Sequence, residues 1–106
     1  MSYTKANYGD VDPVGGGLHF LRDALDCENL GLSVLECEAG WTGMEHEHDE
    51  DDQEEVYLLV DGEATVEVDG KSVALEPGDA LRVSPGASRQ IHGGDEESLF
   101  VIAGAP

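Results

Sequence analysis

The stretch VYLLVDGEATVEVDGKSVAL, residues 56–75, decides the fold prediction. It holds two Asp-Gly pairs, Asp61-Gly62 and Asp69-Gly70, and this dipeptide suits a tight hairpin turn because both central residues take positive φ. Within the middle run, small apolar and polar residues alternate, which is typical of a strand with one dry face and one wet face. The apolar runs at 56–60, 64–68 and 71–75 therefore predict an antiparallel meander of three strands.

Short apolar runs followed by turn residues recur through the rest of the chain, and no stretch keeps the period of an amphipathic helix. The further runs are 18–21, 30–37, 80–83 and 99–103. Strands at this spacing are typical of an all-β sandwich or barrel. The 106 residues predict one domain over 15–106, preceded by a loose N-terminal arm over 1–14 that is rich in Asn, Asp, Gly and Tyr.

The charge balance is the most unusual feature of the composition. The chain has 5 Lys and Arg against 24 Asp and Glu, a formal net charge of −19. A field of this sign excludes nucleic-acid binding and polybasic membrane binding. The acid is dispersed along the whole chain, which predicts an acidic protein from a halophilic source, adapted to molar salt.

The location prediction rests on apolar runs and on cysteine usage. The longest apolar runs, 56–60 and 99–103, fall far short of the roughly 20 residues that a membrane span needs. The opening MSYTKANYGD has no apolar stretch typical of a signal peptide. We expect a cytoplasmic protein in which Cys27 and Cys37 are reduced.

The residues that carry chemistry lie in GWTGMEHEHDEDDQEEVYLLVDG, residues 40–62. His46 and His48 are two apart, so on a strand both imidazoles point to the same face. Glu55 begins the next strand, where a hairpin brings its carboxylate opposite them. Two imidazoles and one carboxylate form a facial metal triad with open positions. These ligands favour one divalent transition metal (Fe, Mn, Ni, Co, Cu or Zn) over Ca²⁺ or Mg²⁺, which prefer oxygen shells.

This pattern resembles the cupin superfamily, whose first motif is matched by Gly40, His46, His48, Glu55 and Gly62. The chain departs from that motif between His48 and Glu55, where six residues stand in place of three or four. The resemblance covers about residues 30–103 and implies a cupin-like double-sheet jelly-roll β-barrel. A small barrel with open sheet edges also predicts a homodimer, and the resemblance implies that the N-terminal strand joins the partner's sheet.

The second cupin motif is matched only in part. Residues 78–86 resemble its start, but Arg89 stands where the family has a histidine ligand and Gly93 stands where it has an asparagine. His92 follows three residues after Arg89, with the wrong strand parity unless a bulge intervenes.

Three interpretations stay open. In the first, His46, His48 and Glu55 bind a metal, water or His92 completes the shell, and Arg89 clamps a carboxylate of a small anionic ligand beside Tyr57 on the pocket wall. In the second, Arg89 pairs with Glu55, and the protein is a metal-free, non-catalytic binding or structural module. In the third, the histidines lie in a solvated acidic loop. The first interpretation predicts a metal-binding protein that binds or transforms a small molecule; it leaves open whether the protein is an enzyme.

Overall fold

Two antiparallel β-sheets enclose one core in the computed structural model, which describes residues 2–47 and 52–106. The strands are β1 (Leu18–Phe20), β2 (Gly31–Cys37), β3 (Glu54–Asp61), β4 (Ala64–Val68), β5 (Lys71–Leu75), β6 (Ala80–Val83), β7 (Arg89–Gly93) and β8 (Ser98–Ala105). The larger sheet has the order β1-β2-β8-β3-β6 and the smaller one β5-β4-β7. The predicted all-β double-sheet jelly roll is confirmed, with open sheet edges in place of a closed barrel.

Inward-facing side chains in register fill one end of the space between the sheets. Leu35, Phe100 and Leu59 form one row across β2, β8 and β3, and each is at most 2% exposed. Val66 of β4 and Ile91 of β7 face them from the smaller sheet. Close packing of this kind leaves no room for a ligand. The space opens toward the other end of the strands, where the inward row consists of Gly31, Gly104 and Glu55.

The predicted meander is correct at its second turn and wrong at its first. Asp69 and Gly70 have φ of 50° and 80° and join β4 to β5 in a tight hairpin. At Asp61-Gly62 the chain instead passes from the larger sheet to the smaller one, because both edges of β3 are already paired, with β6 and with β8. A register shift in β3 between Leu59 and Asp61 redirects the chain there.

Strand β7 lies outside the apolar runs of the sequence, because Ile91 is the only large apolar residue among its five. It pairs with β4 over its full length, from Arg89 opposite Val68 to Gly93 opposite Ala64. This strand is important for the site, since it carries both Arg89 and His92. Pairing with β4 puts the two side chains on opposite faces of the sheet.

Part of the segment predicted as a loose arm lies against β1. Residues Tyr8–Asp10 form a 3₁₀ turn, and the ring of Tyr8 meets that of His19 edge-on, with centroids 5.2 Å apart. His19 Nδ1 lies 2.7 Å from the Val11 carbonyl oxygen. The domain boundary at residue 14 stays a prediction. Over residues 2–47 and 52–106, no helix is long and apolar enough to cross a membrane.

Gly62 and Gly70 offer a matched pair of substitutions. Both have positive φ, +86° and +80°, so alanine strains either backbone by about 1–2 kcal/mol. A Cβ at Gly62 would also collide with the Glu97 carbonyl oxygen and lie 2.7 Å from Ser98 Cα, whereas nothing lies within 4 Å at Gly70. We expect Gly62→Ala to lower the unfolding free energy by about 3–5 kcal/mol, since overpacking adds to the strain. Gly70→Ala should lower it by the backbone strain alone, about 1–2 kcal/mol. Equal losses in urea unfolding would contradict this account.

Candidate functional site

A cavity of about 660 Å³ opens between the two sheets. Its size is in the range of small-molecule sites. Most of its wall is apolar, and the larger apolar side chains are Leu18, Phe20, Leu35, Trp41, Ile91 and Ile102. The polar side chains His46, Gln53, Glu55 and Tyr57 also line it. An apolar chamber with polar groups of this kind is suited to hold and orient a small organic molecule.

Backbone pairing with β7 places His46 close to Glu55. His46 and Arg89 form an isolated antiparallel bridge, with N···O distances of 2.9 and 2.8 Å, so the segment before residue 48 runs along the edge of β7. Glu55 stands on the inward face of β3. His46 Nε2 lies 3.7 Å from Glu55 Oε1. Two of the three predicted metal ligands are therefore together, and the third, His48, lies outside the described residues.

The His46 ring is held from its other side. Its Nδ1 lies 3.2 Å from the Met44 carbonyl oxygen, which turns Nε2 toward Glu55. The bond to Glu55 raises the pKa of His46, with a further contribution from the Met44 carbonyl, while burial and the charge of Arg89 oppose the shift. A backbone carbonyl on one imidazole nitrogen is the usual arrangement that fixes the tautomer of a metal-binding histidine.

Arg89 lies behind Glu55 and is fully buried. Its Nη1 donates to Glu55 Oε1 at 3.1 Å, and its Nη2 donates to the Ser84 carbonyl oxygen at 2.5 Å. The sequence predicted this residue on the pocket wall, where it would clamp a ligand. Because the guanidinium has no exposed surface, the structure corrects that position, and Arg89 acts on the cavity through Glu55.

Tyr57 takes its predicted place inside the domain, two residues from Glu55 on the same face of β3. Its hydroxyl donates to Glu55 Oε1 at 2.9 Å. Burial raises the pKa of Tyr57 far above its ordinary value, and the nearby Glu55 charge adds to the shift. The phenol therefore stays protonated and donates, so the Glu55 carboxylate is held by two donors from within the core.

His92 was predicted as a pocket residue and a candidate fourth ligand, and the structure places it on the opposite face of β7 from Arg89, outside the residues that line the cavity. Arg89 and Ile91 point into the core, so His92 points out of it on the other face of β7. Its Nε2 lies 3.3 Å from Glu67 Oε2 on the neighbouring strand. No bulge interrupts the pairing of β7 with β4, and the strand parity decides the outcome.

Four polar cavity residues were missed from the sequence, namely Arg22, Ser33, Thr42 and Gln53. Gln53 precedes Glu55 by two residues and lines the same wall, so strand parity was the signal that could have found it. Arg22 follows Phe20 by two residues and also lines the cavity. The Ser84 carbonyl that holds Arg89 carries no signal in the sequence, because it is a backbone group.

The described donors fit a metal ion in part. Nitrogen and oxygen ligands about 2.1 Å from one ion lie about 3.0–3.4 Å from each other, close to the 3.7 Å between His46 Nε2 and Glu55 Oε1. Within residues 2–47 and 52–106, no group of three or more metal-binding side chains occurs. The third donor would have to be His48. The donor set of imidazole and carboxylate suits a transition metal.

Comparison with known proteins agrees with this architecture. The family model described as "Cupin domain" matches residues 33–103. A cupin protein from Bacteroides fragilis has 26% sequence identity and a TM-score of 0.75, over 95% of this chain and 86% of that one. KdgF from Halomonas sp. has 20% identity and a TM-score of 0.80, over 100% and 94%. A predicted oxalate decarboxylase from Thermotoga maritima has 19% identity and a TM-score of 0.78, over 96% and 98%. A search of curated proteins finds no match.

Proposed function

We infer that this chain, which belongs to the cupin family, holds one divalent transition metal ion with His46, His48 and Glu55 and binds a small molecule in the cavity beside that ion. The observation that carries the proposal is the convergence of His46 Nε2 and Glu55 Oε1, 3.7 Å apart, on the wall of the 660 Å³ cavity. Polar groups that converge in a large apolar cavity are the usual mark of a binding site.

The surrounding side chains support this role for Glu55. Arg89 and Tyr57 both donate to its Oε1, which fixes the rotamer of the side chain. A carboxylate has about four lone-pair sites over its two oxygens, and both of these donors act on Oε1. An ion bound by two histidines and one carboxylate would offer open positions to a ligand in the cavity. The likeness to solved structures carries the fold alone, so we propose binding and assign no reaction.

The metal-free interpretation rests on one contact, the ion pair between Arg89 and Glu55 at 3.1 Å. The positive charge of Arg89 would oppose a cation nearby, since a guanidinium keeps its proton at any useful pH. The orientation of His46 argues for the metal, because the Met44 carbonyl directs the imidazole at the same carboxylate. The ion pair then acts as a support behind the ligand.

Metal content measured on matched histidine variants tests the proposal. The untagged protein is dialysed in molar KCl against Zn²⁺, Ni²⁺, Mn²⁺ and Fe²⁺ in turn, and elemental analysis follows. We expect the wild type to retain one ion per chain with at least one of these metals. His46→Ala and His48→Ala should lose it, because each removes one of three ligands. His92→Ala is the control and should retain the ion, since His92 faces Glu67 on the other side of the sheet.

Two results would contradict the metal site. A wild type that stays metal-free after all four dialyses would favour the ion-pair interpretation. Equal loss from His92→Ala and His46→Ala would show that the metal sits elsewhere, on the acidic surface.

The homodimer, the halophilic source and the cytoplasmic location stay predictions. The outer face of β3 bears on the first of them, because Val56, Leu58 and Val60 are exposed there. The charged neighbours Glu54 and Arg82 on the same face neutralise each other at 2.7 Å. A nearly neutral apolar face is the surface at which two chains of this net charge could meet with the least repulsion.

A further inference from the structure

Arg22 and Glu55 both line the cavity, Arg22 just after the edge strand β1 and Glu55 in β3. Gly31 is paired with Gly104, and Gly104 is paired with Glu55. The Leu21 N–H donates to the Leu32 carbonyl at 2.8 Å, which extends the pairing of β1 and β2 by one residue, and Arg22 follows where the chain turns away from the sheet. Three strand spacings separate β1 from β3, so at about 4.8 Å per strand the backbones near Arg22 and Glu55 are about 14 Å apart.

Two glycines form the floor between these residues. Gly31 and Gly104 present no side chain; a Cβ at Gly31 would meet only the Gly104 carbonyl oxygen, at 3.5 Å, whereas one at Gly104 would meet Glu55 Cγ at 3.2 Å and Gln53 Oε1 at 3.4 Å. Both glycines line the cavity, and the walls above them include Phe20 and Trp41. An apolar body of the length of a phenylalkyl chain can therefore lie over the glycines between the two polar ends.

Arg22 is the one cavity-lining residue with a permanent positive charge in the part of the chain that the structure describes. Its Nη2 donates to the Glu28 backbone carbonyl at 2.7 Å, which anchors the guanidinium without neutralising it. The other two arginines are ion-paired, Arg82 with Glu54 and Arg89 with Glu55. A chain with a net charge of −19 thus holds an arginine with no carboxylate partner among the described residues at the rim of an apolar cavity.

We propose that the cavity ligand is an apolar monocarboxylate whose carboxylate pairs with Arg22 and whose apolar body lies over Gly31 and Gly104, toward Glu55. A guanidinium offers donors that match a carboxylate in bidentate geometry. A single cation in a strongly negative protein suits a single negative charge better than a dianion. This inference rests on the proposed binding function and names the ligand class. It also moves the anion-binding role predicted for Arg89 to Arg22.

Trp41 provides the readout, because it is the single tryptophan of the chain and lines the cavity. Its fluorescence is titrated with phenylacetate, 4-phenylbutyrate and octanoate, each compared with its own neutral amide, in molar KCl. We expect the wild type to bind at least one acid about tenfold tighter than the matching amide. Arg22→Gln should remove that preference, so that acid and amide bind with about equal affinity, and Arg22→Lys should keep part of it, since a lysine cannot bind in bidentate fashion.

Arg82→Gln is the matched control, because it removes an arginine from the outer face of the sheet. Equal affinity of the wild type for acid and amide would overturn the proposal, as would equal loss in the Arg82→Gln protein. All titrations are run on metal-free and metal-loaded protein. A preference for the acid that survives Arg22→Gln only in the loaded protein would mean that the carboxylate binds the metal, and it would also overturn the proposal.

The measurement of metal content distinguishes failure of this inference from failure of the proposed function. Arg22→Gln should leave the metal content of the protein unchanged, since Arg22 is about 14 Å from Glu55 along the sheet. A wild type that loads metal but binds no member of the panel overturns the ligand class alone. A wild type that loads no metal overturns the metal site, whichever way the acids and amides compare.

Discussion

Replacing Arg89 with methionine is expected to lower the unfolding free energy by about 3–5 kcal/mol, the usual cost of removing one partner of a buried ion pair. Arg89 is fully buried, and the side chain of Glu55 is 14% exposed. Methionine fills much of the same space without a charge. The loss would therefore come from the Glu55 carboxylate, which loses its guanidinium donor, and from the Ser84 carbonyl, which loses its donor too. Urea unfolding with a chelator present gives the measurement free of any contribution from metal.

Two further variants make the Arg89 experiment specific. The exposed pair of Arg82 and Glu54 has similar geometry, at 2.7 Å, but its side chains are 61% and 53% exposed. Arg82→Met should therefore cost only about 0–1 kcal/mol. The double variant Arg89→Met with Glu55→Met should recover much of the loss, because neither charge then remains in the core. If the double variant were as unstable as Arg89→Met, the loss of stability could not be assigned to the Glu55 carboxylate.

The features that the sequence predicts correctly are those that local chemistry determines. The β4–β5 hairpin follows from Asp69-Gly70, whose two positive φ values need no information from distant residues. The inward direction of Glu55 and Tyr57 follows from strand parity, and the same rule rejects His92 as a ligand once β7 is seen to pair without a bulge. His46 lies 3.7 Å from Glu55, but it does so by pairing with Arg89 of β7 and not through the predicted hairpin with the strand of Glu55.

The features that were missed depend on contacts between distant segments. Asp61-Gly62 has the same chemistry as Asp69-Gly70, but β3 is already paired on both edges, so the chain crosses to the other sheet. The burial of Arg89 depends on a hydrogen bond to the Ser84 carbonyl, and the sequence gives no sign of this bond because the acceptor is a backbone group. Arg22 lines the cavity because it directly follows the edge strand β1, whose pairing with β2 the sequence does not reveal. The structure is therefore required to identify which charged groups meet across a sheet. The face of a strand to which a side chain points can be predicted from its position in the alternating pattern.

The second large effect expected is a dependence of folding on salt. The formal charge of −19 is confined to a domain with a radius of gyration of 13.6 Å. At 1 M salt charges are screened within about 3 Å, and at 0.01 M within about 30 Å, which is roughly twice the radius of gyration. Repulsion between carboxylates then acts across the whole molecule and opposes the compact state. We expect the free energy of unfolding to fall by at least about 2 kcal/mol, and Tm by about 10 °C, between 1 M and 0.01 M KCl.

A charge-neutralising variant separates screening from other effects of salt. Asp95, Glu96 and Glu97 are consecutive exposed acids next to β8. The triple variant Asp95→Asn, Glu96→Gln, Glu97→Gln keeps the side-chain shapes while removing three negative charges, so it should raise Tm at 0.01 M KCl and change it little at 1 M. Tetramethylammonium chloride at equal ionic strength should stabilise the wild type as KCl does, because screening does not depend on the identity of the cation. A wild-type Tm that is the same in millimolar and molar KCl would show that repulsion among the dispersed acids does not oppose this fold.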